Sequence, residues 1–242
     1  MNNKHAIHKQ LTTHYSLLTN FAFTLAETLI VMGIIGVVAA LTLPNLNSST
    51  GDKEKVVKVK KIYQNLTDAF GRAQAVYGPH AEWPQFPSTQ DKNTKFIERI
   101  TEFMKVSKTC ATNSGSGCCT NELIKYLDGD DANDSVCPSD GGAFILADGT
   151  LVGVYIGGPI GDLYVDIDGP NKGSNTFGKD VFVFRVNNSE IYPYGYDITT
   201  DNMLKINCFN NGDHCTNWVI QNENMDYLKC PDKLSITNTS CK

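Results

Sequence analysis

The chain has 242 residues, of which 41% are hydrophobic, and a formal net charge of −5 at pH 7. This length allows one apolar helical segment and one sizeable head domain, with no room for many domains. The negative charge argues against a general nucleic-acid-binding surface, because such binding depends on the neutralisation of phosphates by Lys and Arg.

Residues 1–22 have the composition of a basic leader. They include Lys4 and Lys9 but no Asp or Glu. We expect this leader to face the cytoplasm and to be cleaved off. Its removal takes two positive charges from the net of −5 and leaves about −7 on the mature chain by the same count.

Residues 23–43 are almost wholly apolar, and Glu27 is their only charged residue. As a helix they cover about 30 Å, which matches the hydrocarbon core of a bilayer. The sequence therefore predicts a transmembrane and assembly helix. A central carboxylate in such a segment costs about 2.5 to 3.5 kcal/mol, somewhat less near the end. Because the segment contains no Lys or Arg, we expect Glu27 to find its partner at a terminus or on another subunit.

Residues 22–27 read Ala-Phe-Thr-Leu-Ala-Glu, and this motif resembles the processing site of type IV pilins and type II secretion pseudopilins. In that family a prepilin peptidase cuts before the Phe, usually methylates the new amine, and leaves a Glu at the fifth mature position. Phe23 and Glu27 fit this spacing, whereas Ala22 replaces the usual Gly. The resemblance implies that Glu27 pairs with the Phe23 amine, commonly of a neighbouring subunit. Pro44 stands where many pilins carry a helix-kinking Pro.

Two other interpretations of the N-terminal region are open. An ordinary secretory signal would use the small residues that end at Ala40 as its cleavage site, but the apolar core is far too long for one. A plain single-pass anchor fits the length, yet it gives no reason for Glu27 or for the spacing of the motif.

Residues 44–78 are predicted to continue the helix as an amphipathic segment. Apolar residues recur there at intervals of three and four, from Val56 through Ile62 and Leu66 to Phe70, and Gly78 and Pro79 end the pattern. Residues 79–242 then form a globular pilin head.

The head divides into an insertion (80–140), a sheet (141–193) and a C-terminal disulfide-rich region (194–242). The insertion contains a helical pattern at 95–106 and a second short one at 123–127. Strand patterns follow at 143–147, 150–156, 163–167 and 181–186, with 190–192 able to pair back on the last of them. The predicted fold class is α+β, a pilin-like lollipop with a long N-terminal helix packed on a small antiparallel sheet of three to five strands.

Eight cysteines follow the apolar segment, an even number that indicates disulfides in an oxidising compartment. They group into two local clusters, and 105 pairings are possible. Two of them are adjacent and must bond to different partners, since a vicinal bridge would be strained. A zinc site at His214 would lack any CxxC pair. The cysteines are Cys110, Cys118, Cys119, Cys137, Cys208, Cys215, Cys230 and Cys241.

One loop, residues 166–180, has the composition of a cation site. Its Asp-x-Asp-Gly start and a later Asp supply oxygens of the kind that Ca²⁺ prefers. The predicted ligands are Asp166, Asp168, Asn171 and Asp180. The loop is not an EF-hand, because its twelfth position is occupied by a Phe. It loosely resembles the calcium loop of the major pseudopilin of type II secretion. The alternative is a Gly/Asn-rich loop whose aspartates cap local turns.

The sequence contains no nucleophile elbow, phosphate loop, dinucleotide fingerprint or His-Glu-x-x-His helix, so we do not expect an enzyme. The family resemblance implies a structural subunit of a type IV pilus or a type II secretion pseudopilus. Its partners would be prepilin peptidase, the assembly platform, the bacterial inner membrane before assembly, and copies of itself or other pilins. Its head would lie in the periplasm or outside the cell. The alternative is a membrane-anchored, non-polymerising, calcium-dependent adhesin.

Overall fold

The computed structural model describes residues 24–83, 88–111, 117–119, 122–158, 160–170 and 172–242, with the backbone alone for 39–50. The chain forms two compact units, Met1–Asn47 and Ser48–Lys242. The predicted cleavage site at Ala22 and Phe23 lies outside the described residues, and so does the predicted ligand Asn171.

The first element is a 53-residue helix, α1 (Leu25–Tyr77). It ends at Gly78, whose φ of 81° is left-handed backbone that favours glycine, and at Pro79, which cannot donate a helical hydrogen bond. The sequence predicts this end correctly.

The predicted fold class, a pilin-like lollipop whose N-terminal helix has a membrane half at residues 23–43, is wrong. Among the residues that the structure describes, no helix is both long and apolar enough to cross a membrane. Charged side chains follow from Asp52 onward. The observed fold is α+β with a larger sheet than the one predicted.

In the second unit, one face of α1 is buried along its length. Val59, Ile62 and Leu66 are fully inaccessible, and Phe70 is 2% exposed. These positions are three or four residues apart and therefore lie on the same face of the helix. They share one core with the sheet. The buried positions from Val59 to Phe70 have the spacing that the sequence predicts for part of the amphipathic segment 44–78.

The described residues form eight strands, β1 (Val106–Cys110), β2 (Leu123–Lys125), β3 (Asp131–Ser135), β4 (Gly142–Leu146), β5 (Leu151–Ile156), β6 (Gly161–Asp166), β7 (Val181–Val186) and β8 (Ile191–Pro193). Six of them form an antiparallel sheet in the order β1-β4-β5-β6-β7-β8, and β2 and β3 form a separate antiparallel pair.

The predicted strands correspond to β4 to β8, but the insertion differs from its prediction. Its helix, α2 (Thr89–Thr101), begins and ends earlier than expected, and Ser88 caps its start by accepting a hydrogen bond from Asp91 N. The residues that follow turn back and form β1. The helix predicted at 123–127 is wrong, because Ile124 is buried in β2 against the sheet.

The sheet is covered on both faces, and alternate residues of β7 show this division. Phe182 and Phe184 belong to the core shared with α1, whereas Val181 and Val183 belong to a second core under β2 and β3. A strand buried on both faces reads as a continuous apolar run, as the Val-Phe-Val-Phe of β7 does.

The C-terminal region is mainly helical. Its segments are α3 (Asp201–Met203), a π-helical stretch (Leu204–Asn210), α4 (Cys215–Asn222) and two 3₁₀ turns (Asp226–Leu228 and Pro231–Lys233). Trp218 and Met225 are buried, as expected for core residues.

The close packing of β5 against the backbone at Val136 predicts that Gly153→Ala destabilises the protein. A Cβ at this position in β5 would collide with the backbone carbonyl of Val136, which cannot rotate away. We expect a loss of about 1 to 3 kcal/mol or more, measured by denaturant unfolding. Gly158→Ala is the control, because a Cβ there meets no atom within 4 Å. Equal stability of the two variants would contradict this packing.

Candidate functional site

At the start of α1, Thr24 and Glu27 hydrogen-bond to each other reciprocally. Thr24 N donates to Glu27 Oε2 at 2.8 Å, and the Thr24 hydroxyl donates to the same oxygen at 2.9 Å. In return, Glu27 N donates to Thr24 Oγ1 at 3.2 Å. This is a capping box, which satisfies backbone N–H groups that have no partner inside the helix.

The capping box gives Glu27 a partner at the N-terminus of its own helix. The sequence carries the corresponding signal for a capping box, which is Thr-x-x-Glu before an apolar run. The predicted pairing of Glu27 with the Phe23 amine stays a prediction, because Phe23 lies outside the described residues. Pro44 lies within α1, where its side chain is not described.

Next to the capping box, α1 presents apolar side chains to solvent. Their exposed fractions range from 52% to 79%. They occupy several sides of the helix rather than one stripe, which distinguishes this segment from the buried face of α1 farther along the chain. The residues are Leu25, Leu29, Ile30, Val31, Met32, Ile34, Ile35, Val37 and Val38.

The loop between β6 and β7 is organised by two buried aspartates, Asp166 and Asp180, each 1% exposed. Asp166 Oδ1 accepts hydrogen bonds from the backbone N–H groups of Asp168 and Gly169, both at 3.0 Å. Asp180 Oδ1 accepts from Thr176 N at 2.6 Å. The other oxygen of Asp180 accepts from the backbone N–H and the hydroxyl of one serine, at 2.6 and 3.0 Å. Both side chains therefore stabilise turns of the loop.

Three predicted ligands come together in this loop. A Cβ at Gly173, where φ is 75°, would lie 2.6 Å from Asp180 Oδ2 and 3.1 Å from Asp168 Oδ2, so both carboxylates border the same backbone position. Burial raises the pKa of Asp166 to about 6, opposed by its hydrogen bonds to backbone N–H groups and assisted by the charges of Asp180 and Asp168.

Two lysines of α1 bind the same loop. Lys55 Nζ lies 3.8 Å from Asp168 Oδ2 and donates to the backbone carbonyl of Lys179 at 3.0 Å. Lys58 donates to the backbone carbonyl of Ile167. Ca²⁺ prefers carboxylate and carbonyl oxygens as ligands. In this loop, such oxygens already accept hydrogen bonds from lysine ammonium groups or from backbone N–H groups.

The described contacts of the loop are those of aspartates that hold turns rather than those of a metal-binding group. Within the described part of the chain, no group of three or more His, Cys, Asp or Glu side chains is placed to hold a metal. A cation at Asp168 would have to displace the Lys55 ammonium. The calcium site therefore stays a prediction, while the observed contacts support the alternative in which the aspartates cap turns.

All eight cysteines form disulfides, Cys110–Cys118, Cys119–Cys137, Cys208–Cys215 and Cys230–Cys241. The predicted division into two local clusters is confirmed, and so is the prediction that the adjacent cysteines have different partners. Zinc ligation beside His214 is excluded for Cys208 and Cys215, because neither is a free thiolate. The disulfides indicate an oxidising, extracytoplasmic environment.

Comparison with protein-family models, with curated proteins and with solved structures finds no match to this chain.

The raised pKa of Asp166 predicts a specific pH dependence. The pKa of the Asp166 carboxyl group rises from its ordinary value of 3.8 to about 6 on folding. Its contribution to the stability of the folded state is therefore fully present below pH 3.8 and is lost as the pH rises through about 6. Asp166→Asn keeps the acceptor oxygen but does not ionise. Relative to this variant, the wild type should lose up to about 3 kcal/mol of unfolding free energy between pH 4 and pH 7.

Urea unfolding at several pH values measures this difference. Asp232→Asn is the control, since it removes the same charge from an exposed residue. A difference between wild type and Asp166→Asn that stays constant across the range would contradict the prediction.

The calcium prediction is decided by thermal unfolding of the full-length protein with millimolar Ca²⁺ or with chelator. It requires that calcium raise the melting temperature of the wild type and not that of Asp168→Asn, because the variant lacks the carboxylate that borders Gly173. A wild-type melting temperature indifferent to calcium would remove the site from consideration.

Proposed function

We propose that this chain is a structural subunit of a filament, a type IV pilus or a type II secretion pseudopilus, cleaved between Ala22 and Phe23. The observation that carries the proposal is the start of α1. There, apolar side chains 52% to 79% exposed lie within and directly after the Thr24–Glu27 capping box. Exposed apolar surface of this extent is unfavourable in water and is stabilised when other subunits bury it.

The free energy gained by burying these apolar side chains is large enough to support subunit association. Full burial of a Leu, Ile, Val or Met side chain contributes about 1.5 to 3 kcal/mol, so the nine exposed residues form a strong association surface even when burial is partial. Because these side chains surround the helix, several neighbours are needed to cover them. A helix in the interior of a filament meets this requirement, whereas a pair of subunits covers one side.

Glu27 has a defined role in this proposal. In the isolated chain, its carboxylate binds the first turn of α1 through Thr24. A carboxylate surrounded by apolar helices needs a cationic partner, and the amine created by cleavage before Phe23 supplies one. The exchange from Thr24 to the amine of a neighbouring subunit fixes the axial register of the two helices.

The proposed function also implies where in the cell the protein is located. The disulfides indicate an extracytoplasmic environment. The proposed partners are prepilin peptidase, the assembly platform, and copies of this chain or other pilins. The head then lies in the periplasm or at the cell surface as part of the filament.

Processing and assembly are tested together in cells that express the full-length chain. N-terminal sequencing of the mature protein should give a start at Phe23. Glu27→Ala and Glu27→Gln should both abolish filaments seen by electron microscopy, because neither supplies the charge that pairs with the new amine. The mature protein should still accumulate with its disulfides intact.

Two control variants separate the carboxylate from other effects. Glu54→Ala removes an exposed Glu farther along α1 and should leave filaments unchanged. Thr24→Val removes the hydroxyl of the capping box but keeps the Glu27 carboxylate, so filaments should persist. A mature start at Leu41 would indicate a secretory signal instead. Normal filaments from Glu27→Ala would refute the assembly role.

A further inference from the structure

A small cavity of about 140 Å³ opens on the face of the sheet that points away from α1. Its base contains the buried side chains of Val183 and Phe177. The β2–β3 pair forms one wall, which includes Ala132. The cavity lies entirely in the second compact unit.

Three tyrosine rings line the cavity. Tyr126 and Tyr164 both adjoin Phe177, with ring centroids 5.9 and 6.4 Å from its own. Tyr194 has the Arg185 guanidinium 4.0 Å above its ring centroid. One wall of the cavity therefore already makes a cation–π contact, and the other rings offer the same kind of surface.

The charged side chains of the cavity are three aspartates and one arginine, a formal excess of two negative charges. Arg185 Nε donates to Asp162 Oδ1 at 3.1 Å. Asp134 accepts from the Tyr164 hydroxyl at 2.8 Å. Asp213 Oδ1 lies 2.9 Å from Nδ1 of His214. The excess of negative charge disfavours an anionic ligand and favours a cation.

Two carboxylate oxygens remain available for a ligand. Neither Asp162 Oδ2 nor Asp213 Oδ2 receives a hydrogen bond from any residue that the structure describes. Burial raises the pKa of Asp162 even though Arg185 lies beside it, so this carboxylate is incompletely compensated. In contrast, both oxygens of Asp134 have donors, from Tyr164 and from Ser135 N.

We propose that this cavity binds a primary alkylammonium group, through N–H hydrogen bonds to Asp162 and Asp213 and cation–π contacts with the two tyrosine rings that adjoin Phe177. A primary ammonium has three N–H donors and no acceptor, which matches acceptor oxygens that lack donors. A quaternary ammonium would use the rings but leave these oxygens unsatisfied.

The cavity is large enough to hold only one end of a ligand molecule. Drug-sized ligands occupy pockets of about 300 to 1,000 Å³, so this cavity accommodates a headgroup or the tip of a side chain. The ammonium could belong to a free amine or to a lysine side chain of a peptide, and the recognition chemistry is the same. This proposal does not rest on filament assembly.

The test is a titration of the full-length protein, followed by NMR or calorimetry. The probes are n-butylammonium and Nα-acetyl-lysine N-methylamide, with tetramethylammonium and N-acetylglucosamine for comparison. Both primary amines should bind, and tetramethylammonium should bind more weakly by about tenfold. Tighter binding of the lysine derivative assigns a peptide source, and equal binding assigns a free amine.

Two variants locate the site. Asp213→Asn should weaken amine binding by about ten- to a hundredfold, because it replaces a charged acceptor by a neutral amide. Ala132→Leu fills the cavity without changing its charge and should abolish binding. Asp232→Asn removes the same charge elsewhere and should bind as the wild type does. All variants are first checked for an unchanged melting temperature.

Several results would overturn the proposal. They are a lack of binding by both primary amines, tetramethylammonium binding as tightly as n-butylammonium, binding of the sugar alone, and wild-type affinity in a folded Asp213→Asn variant.

Discussion

The burial of one face of α1 against the sheet is the interaction on which the rest of the second unit depends. Tyr63 stacks on Phe184 with centroids 5.5 Å apart, and Leu66 and Phe70 continue the contact into the core that α2 also joins. Each large apolar side chain buried there contributes about 1.5 to 3 kcal/mol. This packing fixes which side of every strand faces the helix, because neighbouring residues of a strand point to opposite faces.

The same packing determines how the β6–β7 loop is held. Lys55 and Lys58 flank the buried stripe of α1 and reach loop carbonyls, while Asp166 and Asp180 hold the turns from inside. A lysine stem covers apolar surface while its ammonium stays polar, which suits a position beside a buried stripe. The loop therefore gains its order from the helix and from its own backbone N–H groups, and a cation is not needed to explain its aspartates.

The face of the sheet away from α1 is chemically different. There, β6 and β7 present Asp162, Tyr164 and Arg185 to a cavity that β2 and β3 only partly cover. The disulfide Cys119–Cys137 joins two segments beside this region and restricts them. Structural packing and the proposed ligand recognition are thus divided between the two faces of one sheet, whereas the surface proposed for assembly belongs to the first unit.

The sequence by itself determined the features that depend on local patterns. The three-to-four spacing from Val56 to Phe70, the strands β4 to β7 and the even number of cysteines were all readable, because each follows from a repeat or a count. The tertiary structure decided the rest. β3 reads Asp-Ala-Asn-Asp-Ser, which has little strand propensity, and it forms a strand because it pairs with β2. Disulfide partners, the lysine contacts of the loop and the cavity likewise depend on residues far apart in the chain, which only the folded sheet brings together.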